Sequence, residues 1–353
     1  MRRLFAPYGT QYRRHPGGRG PGQTQAGRHA GNYRVLRPEK SGNGRARLRS
    51  FFKGGQILKN MKVLLLGHKG MLGNDLMAQF KYRHEVIGMD REEINIASAS
   101  ECRRAVVDVQ PELVINAAGF TNVDACETAK EECFAVNAEA VKNIAEACRD
   151  RNITVIHYST DYVFDGNGNR PYTEDDPCNP INTYGASKLT GEHHLRRLTD
   201  NFILIRTAWL YGAKGKNFVQ AILDRARSTG QLTVVNDQTG SPTCTRDLAA
   251  ATELLVDKNA RGIFHVTNRG SCTWYDFARK ILKEAHLDTV EILPIKTGEL
   301  QRAAKRPAYS VMSSQKFVTL TGKTMQPWQL AFSDYFKFIS SHTCCSESSV
   351  TAK

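Results

Sequence analysis

The sequence predicts an α/β protein with a doubly wound parallel sheet and a smaller α/β lobe after it. Three observations support this fold class: near-unbroken apolar runs of strand length, amphipathic helical stretches between them, and a glycine-rich turn directly after the first run. The chain has 353 residues, of which 41% are hydrophobic, so it can form cores for both parts.

Residues 1–60 differ in composition from the rest of the chain. They contain eleven Arg and three Lys against the single acid Glu39, and so carry +13 of the net charge of +14. The stretch is rich in Gly, Arg and Pro without apolar periodicity, so we expect a disordered basic extension. An inert extension, a targeting segment and a nucleic-acid-binding tail remain alternatives. The body from Met61, which begins "MKVLLLG", is nearly neutral, and we predict no nucleic-acid binding for it.

The first predicted strand, residues 62–66, runs directly into the turn "GHKGMLG" and an amphipathic helix. In such a turn Gly67 permits the tight bend, Gly70 lets main-chain N–H groups approach a pyrophosphate, and Gly73 permits close helix packing. The order of strand, turn and helix predicts a Rossmann-type dinucleotide site.

A second strand, "HEVIGMD", ends in Asp90, twenty residues after Gly70. A carboxylate at this position can accept hydrogen bonds from the adenosine ribose. Arg91 follows it and could instead bind the 2′-phosphate of NADP, so NADH and NADPH both remain open.

Two further strands end in small or polar residues. "PELVINAAGFTNVD" reaches Ala117 and Ala118, and "ITVIHYSTDYVF" reaches Thr160 and Asp161. Ligands of open α/β sheets bind outside the carboxyl ends of the strands, so we expect the chemistry to lie there.

Tyr184 and Lys188 lie four residues apart at the start of a predicted helix, in "INTYGASKLTGEHH". This spacing places both side chains on one helix face. An ammonium close to a phenol, whose ordinary pKa is about 10, favours the phenolate and lowers that pKa. With the Thr160 hydroxyl, the pair predicts proton transfer to a carbonyl oxygen.

Together with "HYSTDYVFDG", "NTYGASKLTGE", "RTAWLYG", "GKNFVQAIL" and "VVNDQTGSPT", these residues resemble the extended short-chain dehydrogenase/reductases and, within them, the dTDP-4-dehydrorhamnose reductase family. The resemblance covers about residues 61–339. It implies reduction of the C4 ketone of dTDP-4-dehydro-β-L-rhamnose, with hydride from NADPH or NADH, as the final step of dTDP-rhamnose biosynthesis.

The resemblance also implies roles for individual residues. Tyr184 would protonate the alkoxide, with Lys188 and Thr160 as the other catalytic residues. The implied cofactor-binding residues are Gly67, Gly70, Met71, Leu72, Gly73, Asp90, Asn95, Ile96, Ala117, Ala118, Tyr158, Tyr184 and Lys188. The implied substrate-binding residues are Thr160, Asp161, Trp209 and Arg306.

Two positions depart from the family pattern. The late motif reads "RPAYS", with Tyr309 where the family usually has Asn, which leaves the sugar specificity open. Asp75 stands where some members carry a glutamate of a magnesium-linked dimer, so Mg²⁺ is possible but not supported, and we predict no metal site. A homodimer is possible.

The predicted domains are the dinucleotide-binding domain over 61–230, a mainly substrate-binding lobe over 231–340 from which the chain can cross back, and a loose tail over 341–353. No apolar run is long enough to span a membrane, and the nine cysteines show neither a CxxC pair nor zinc spacing. We therefore expect a cytoplasmic protein with reduced thiols.

Two alternatives to this function remain. The same residues could act on a different NDP-4-ketosugar, as in a dihydrostreptose-type synthase. A non-catalytic regulatory subunit with the same fold is the other alternative, although it would not need to keep Thr160, Tyr184 and Lys188.

Overall fold

A computed structural model describes residues 60–347, with side chains to residue 341. The predicted extension lies outside the described residues except for Asn60. The last helix continues to Glu347, so the loose tail predicted from residue 341 is helical in its first part.

The structure contains twelve strands in the described range. They are β1 (Lys62–Leu66), β2 (Glu85–Met89), β3 (Leu113–Asn116), β4 (Thr154–Thr160), β5 (Phe202–Thr207), β6 (Leu210–Tyr211), β7 (Gln231–Val235), β8 (Thr239–Gly240), β9 (Thr243–Cys244), β10 (Gly262–His265), β11 (Cys272–Thr273) and β12 (Glu291–Ile295).

The α-helices connect and flank these strands. They are α1 (Met71–Phe80), α2 (Ala99–Val109), α3 (Val123–Thr128), α4 (Lys130–Phe134), α5 (Ala140–Arg149), α6 (Thr183–Leu198), α7 (Phe218–Thr229), α8 (Thr245–Asp257), α9 (Trp274–Glu284), α10 (Gln315–Thr321) and α11 (Trp328–Glu347). A π-helical turn, Ala135–Glu139, joins α4 to α5, and short 3₁₀ turns occupy Asp161–Val163 and Thr297–Glu299.

Six strands form one parallel sheet in the order β10-β5-β4-β3-β1-β2. Its strands are apolar on both faces, and a separate buried cluster packs on each face. The predicted fold class, a doubly wound parallel sheet of Rossmann type, is confirmed. The strand order reverses between β1 and β3, which is where such sheets bind ligands.

A third apolar cluster lies outside this sheet, around Tyr211, Phe277 and Phe332. This cluster includes residues of the small two-stranded sheets, one of which pairs β7 with β12. The chain returns to the large sheet with β10, which pairs with β5. The boundary near residue 230 stays a prediction. Among the described helices, none combines the length and apolar character needed to cross a bilayer.

Helix α6 is fixed closely against the end of β4. The Asn182 side chain caps it by accepting a hydrogen bond from the Gly185 N–H at 2.8 Å. Any Cβ at Gly185 would overlap the carbonyl oxygen of Tyr162, so only glycine allows this approach. The cap and the contact place the first turn of α6 beside Thr160 and Asp161.

Candidate active site

The glycine turn after β1 forms the first part of the site. Gly67 has φ +79°, and a Cβ on it would lie 2.7 Å from the Ala118 main-chain nitrogen. Helix α1 begins at Met71 after Gly70 without a side-chain cap. Its first N–H groups are therefore suited to a pyrophosphate, and the turn fits a dinucleotide.

The next two residues of α1 hold the turn against the sheet. A Cβ on Gly73 would overlap the carbonyl oxygen of Gly67, so the helix can approach β1 only with glycine here. Leu72 is buried in the core on one face of the sheet. Its side chain therefore contributes packing, and only its main chain is suited to a ligand.

Asp90 lies beside this turn at the end of β2. Its carboxylate accepts hydrogen bonds from the main-chain N–H groups of Lys69, at 3.1 Å, and Arg91, at 2.9 Å. The Lys69 ammonium pairs with Glu92 at 2.6 Å. The carboxylate is thus held at the edge of the glycine turn, where the sequence predicts the adenosine ribose.

The segments after β2 and β3 continue the same edge. Asn95 is exposed, with its side-chain oxygen accepting from the Ala97 N–H at 3.1 Å, and the Ile96 carbonyl accepts from the Asn143 amide. Ala117 and Ala118 are partly buried directly after β3. All four lie in loops that follow the carboxyl ends of β2 and β3, and their role in cofactor binding stays a prediction.

Thr160 and Tyr184 come together at the junction of β4 and α6. The Thr160 hydroxyl lies close enough to the Tyr184 phenol to act on its pKa. The Thr160 hydroxyl donates to the Asp161 carboxylate at 3.0 Å and accepts from the Tyr162 N–H at 3.1 Å. The Tyr162 ring packs edge-on against Tyr184, with ring centroids 6.0 Å apart. The structure therefore brings the predicted threonine and tyrosine into one cluster.

The pKa of the Tyr184 phenol is raised in this cluster. Burial is the main cause and the negative charge of Asp161 adds to it, while the hydrogen bond from Thr160 opposes both. The predicted lowering of the Tyr184 pKa is wrong for this structure, because desolvation of the buried phenolate dominates and raises it.

Lys188 is almost completely buried, with 5% exposed. Its Nζ lies 3.4 Å from His157 Nε2. Burial lowers the pKa of Lys188 to about 8, although the charge of Glu192 and the Cys133 thiol act in the opposite direction. The lysine can therefore change its charge close to neutral pH.

Asp161 is a buried carboxyl, with 2% exposed. Ser310 donates a hydrogen bond to it at 2.5 Å, in addition to the bond from Thr160. Burial nevertheless raises its pKa from the usual 3.8 to about 6. The site thus contains a carboxyl group that ionises at mildly acidic pH.

A pH dependence of stability follows from Asp161. The folded-state pKa exceeds the unfolded value, so the stabilisation is complete below about pH 4 and is lost as the pH rises through about 6. Relative to Asp161→Asn, the wild type should lose on the order of 2 kcal/mol of unfolding free energy across this interval. Urea unfolding at a series of pH values measures the difference. If the unfolding free energies of the two proteins changed with pH in the same way, the raised pKa of Asp161 would be contradicted. Asp200→Asn, at an exposed position, is the control.

Arg306 does not face open space. Its guanidinium makes a two-point contact with Asp124, at 2.5 and 2.8 Å, and Arg302 pairs with the same carboxylate at 3.1 Å. Tyr162 and Arg306 lie close enough to act on each other's pKa, which connects the arginine to the tyrosine cluster. Arg306 therefore lies next to the site, and a phosphate would have to compete with Asp124 for it.

Trp209 adopts a backbone conformation that is uncommon for a bulky residue, with φ +50°. Its ring stacks on Trp274 at 3.5 Å between centroids and packs against Gly240. It contacts both the cluster around Tyr211 and a smaller one around Phe164. Strained positions of this kind concentrate at functional sites, so its substrate role stays a prediction.

Tyr309 lies on the same segment as the Asp161 partner Ser310. Its N–H donates to the Gly166 carbonyl at 3.2 Å, and its ring lies 6.4 Å from that of Tyr172. These contacts hold the segment to the loop after β4. Tyr309 directly precedes Ser310, which hydrogen-bonds the buried Asp161 carboxyl group. Sugar selectivity at this position remains a prediction.

The side chain of Tyr158 does not join the other residues. It is 7% exposed, packs in the core, and its hydroxyl bonds Thr252 at 2.8 Å. Because side chains alternate along a strand, the Tyr158 side chain lies on the other face of the sheet from that of its neighbour His157. Only its main chain is at the strand end where a cofactor would lie.

Sequence reasoning missed Asn137, which lies in the π-helical turn. Its amide oxygen accepts from the Phe120 N–H at 2.9 Å, and its amide nitrogen donates to the Phe120 carbonyl and the Ser187 hydroxyl, each at 3.0 Å. It joins the loop after β3 to α6. A polar residue within an apolar helical stripe was the available signal, and π-turns often mark functional sites.

Asp75 accepts a hydrogen bond from Thr245 at 2.5 Å. Within residues 60–341, no three His, Cys, Asp or Glu side chains are grouped as metal ligands. The candidate site therefore consists of the glycine turn and the Thr160–Tyr184–Lys188 cluster.

A glycine turn at β1 and a tyrosine and lysine at the end of β4 define a dinucleotide-binding protein of the short-chain dehydrogenase/reductase class. Residues 61–340 match the family described as the RmlD substrate binding domain, and the chain belongs to that family.

Three relatives illustrate the similarity. The spore coat polysaccharide biosynthesis protein SpsK of Bacillus subtilis is 40% identical over 78% of this chain and 97% of its own. A dTDP-4-dehydrorhamnose reductase of Burkholderia thailandensis is 34% identical over 77% of this chain and 96% of its own. The structure of dTDP-4-dehydrorhamnose reductase from Bacillus anthracis, in complex with NADP, has a TM-score of 0.76 and 33% identity, covering 79% of this chain and 99% of that one.

Proposed function

We propose that this chain reduces the C4 ketone of dTDP-4-dehydro-β-L-rhamnose with NADPH or NADH, giving dTDP-β-L-rhamnose. The observation that carries the proposal is the cluster of Thr160, Tyr184 and Lys188 at the carboxyl end of β4, on the sheet that also carries the glycine turn. Membership of a family whose relatives are named dTDP-4-dehydrorhamnose reductase supports this substrate.

The dinucleotide would supply the hydride. The glycine turn and Asp90 would hold its pyrophosphate and adenosine ribose. Tyr184 would donate its phenolic proton to the alkoxide oxygen at C4. A raised pKa keeps the phenol protonated at neutral pH, as a general acid requires.

Thr160 would help to orient this proton donor, since its hydroxyl lies beside the Tyr184 phenol and is itself held by its hydrogen bond to Asp161. Lys188 would bind the nicotinamide ribose and, as an ammonium, stabilise the phenolate that remains after proton transfer. Its pKa of about 8 predicts a fall in kcat/KM above that pH.

The test is a turnover assay with the full chain, dTDP-4-dehydrorhamnose and each reduced dinucleotide in turn. We expect the absorbance of the reduced nicotinamide to fall and dTDP-rhamnose to appear in equal amount. Comparison of kcat/KM for NADPH and NADH then gives the cofactor preference. Binding of either dinucleotide without turnover on this substrate would contradict the proposal.

We also propose a cytoplasmic location and a homodimer. A cytoplasmic location is supported by the cysteines of the described range, which are free thiols and mostly buried. A homodimer stays a prediction that sedimentation of the full chain would test.

A further inference from the structure

Three buried polar side chains form a line behind the catalytic cluster. Asn116 ends β3, His157 pairs with it across the sheet on β4, and Lys188 approaches from α6. Asn116 Nδ2 lies 3.2 Å from His157 Nδ1, and Lys188 Nζ lies 3.4 Å from His157 Nε2. Asn116 and His157 are each 1% exposed, so water does not replace these contacts.

The orientation of Asn116 is fixed by the main chain. Its Oδ1 accepts from the Ala118 N–H at 3.2 Å, so its amide N–H group faces His157. The main chain of Asn116 also lies close enough to the ring to act on its pKa, in the direction that favours a ring N–H. Asn116 can therefore satisfy Nδ1 of His157 whether that nitrogen carries the ring proton or accepts one.

The position of the ring proton also determines whether His157 accepts a hydrogen bond from Lys188 or donates one to it. When the proton is on Nδ1, Nε2 accepts a hydrogen bond from the lysine ammonium. When the proton is on Nε2, that nitrogen donates to a neutral lysine amine. Burial and the nearby Lys188 charge lower the pKa of His157 well below its ordinary value, so the ring itself stays neutral.

The other groups around Lys188 cannot take over this contact. Cys133 on α4 influences it through charge, and its thiol is hydrogen-bonded to Ser187 and Cys126. Glu192 lies one turn along α6, and its carboxylate is bonded to the Arg206 guanidinium from β5. Among the residues that the structure describes, His157 is thus the side chain within hydrogen-bond distance of Nζ.

We propose that His157 is a positioning residue for Lys188: its Nε2 holds Nζ in place and serves as a hydrogen-bond partner for both the charged and the neutral form of the lysine. This inference rests on the proposed function for its kinetic consequence. In this role His157 acts through Lys188 and not on the reacting atoms.

Two amide substitutions separate the role of Nε2 from that of the ring as a whole. His157→Gln carries its amide at about the distance of Nε2 and should keep kcat/KM within about threefold of the wild type. His157→Asn reaches only the Nδ1 position, so Lys188 loses its partner and kcat/KM should fall about tenfold. The high-pH limb of kcat/KM should move to lower pH in His157→Asn, because the ammonium has lost an acceptor. His84→Asn, at another buried histidine outside the site, should leave the limb unchanged.

A second measurement, on the full chain, does not depend on turnover. The ring ¹⁵N shifts of His157 should change as Lys188 titrates, and this change should vanish in Lys188→Met. Constant ring shifts through the lysine titration, or equal pH profiles for His157→Asn and the wild type, would overturn the proposal. Lack of turnover on the ketosugar combined with coupled titration would instead refute only the proposed function.

Discussion

Tyr184→Phe is expected to lower kcat about a thousandfold while the dissociation constant for NADPH changes by less than about threefold. The substitution removes one hydroxyl, which donates the proton in the proposed reaction and lies beside Thr160. The ring and its edge-on contact with Tyr162 remain. Steady-state kinetics and fluorescence titration with NADPH measure the two quantities.

Tyr335→Phe is the matched control for this experiment. It removes another buried hydroxyl, which donates to the Gly212 carbonyl at 3.1 Å in the cluster around Tyr211. We expect a stability loss on the order of 1 kcal/mol and an unchanged kcat. If Tyr184→Phe retains more than about a tenth of the wild-type kcat, Tyr184 is not the proton donor.

The parts of the site that could be predicted from sequence are those set by local geometry. The glycine turn, Asp90 and the Tyr184–Lys188 pair depend on spacing within a strand, a turn or one helix. Thr160 and Asp161 follow from the rule that parallel strands present their carboxyl ends at one edge. Each of these residues lies in the turn, at the strand end or in the helix that the sequence pattern predicted for it.

The remaining features depend on contacts between distant segments. Asn116 meets His157 only through the register of β3 with β4. The pairing of Arg306 with Asp124 joins residues 182 positions apart. The direction of the Tyr184 pKa depends on how deeply α6 is buried, which spacing does not show, and that is why the sequence argument gave the wrong sign.

Arg206→Met is expected to lower the free energy of unfolding by about 3–5 kcal/mol. Arg206 binds Glu192 through three hydrogen bonds of 2.7–3.2 Å, and the two side chains are 2% and 0% exposed. The substitution leaves the buried Glu192 carboxylate without its cation. The free-energy penalty of this unpaired charge exceeds the stabilisation that the intact pair provides. Urea unfolding measures the loss, and a value below about 1 kcal/mol would contradict the argument.

The double variant Arg206→Met/Glu192→Leu separates stability from chemistry. Without either charge, the buried site should recover most of the lost stability, because apolar residues replace an ion pair that had to be desolvated. The Glu192 charge, however, also raises the pKa of Lys188 from the same helix. The double variant should therefore fold nearly as stably as the wild type and yet lose kcat/KM at a lower pH. An unchanged pH profile would mean that the ion pair only anchors α6 to β5, and that its charge does not reach the catalytic lysine.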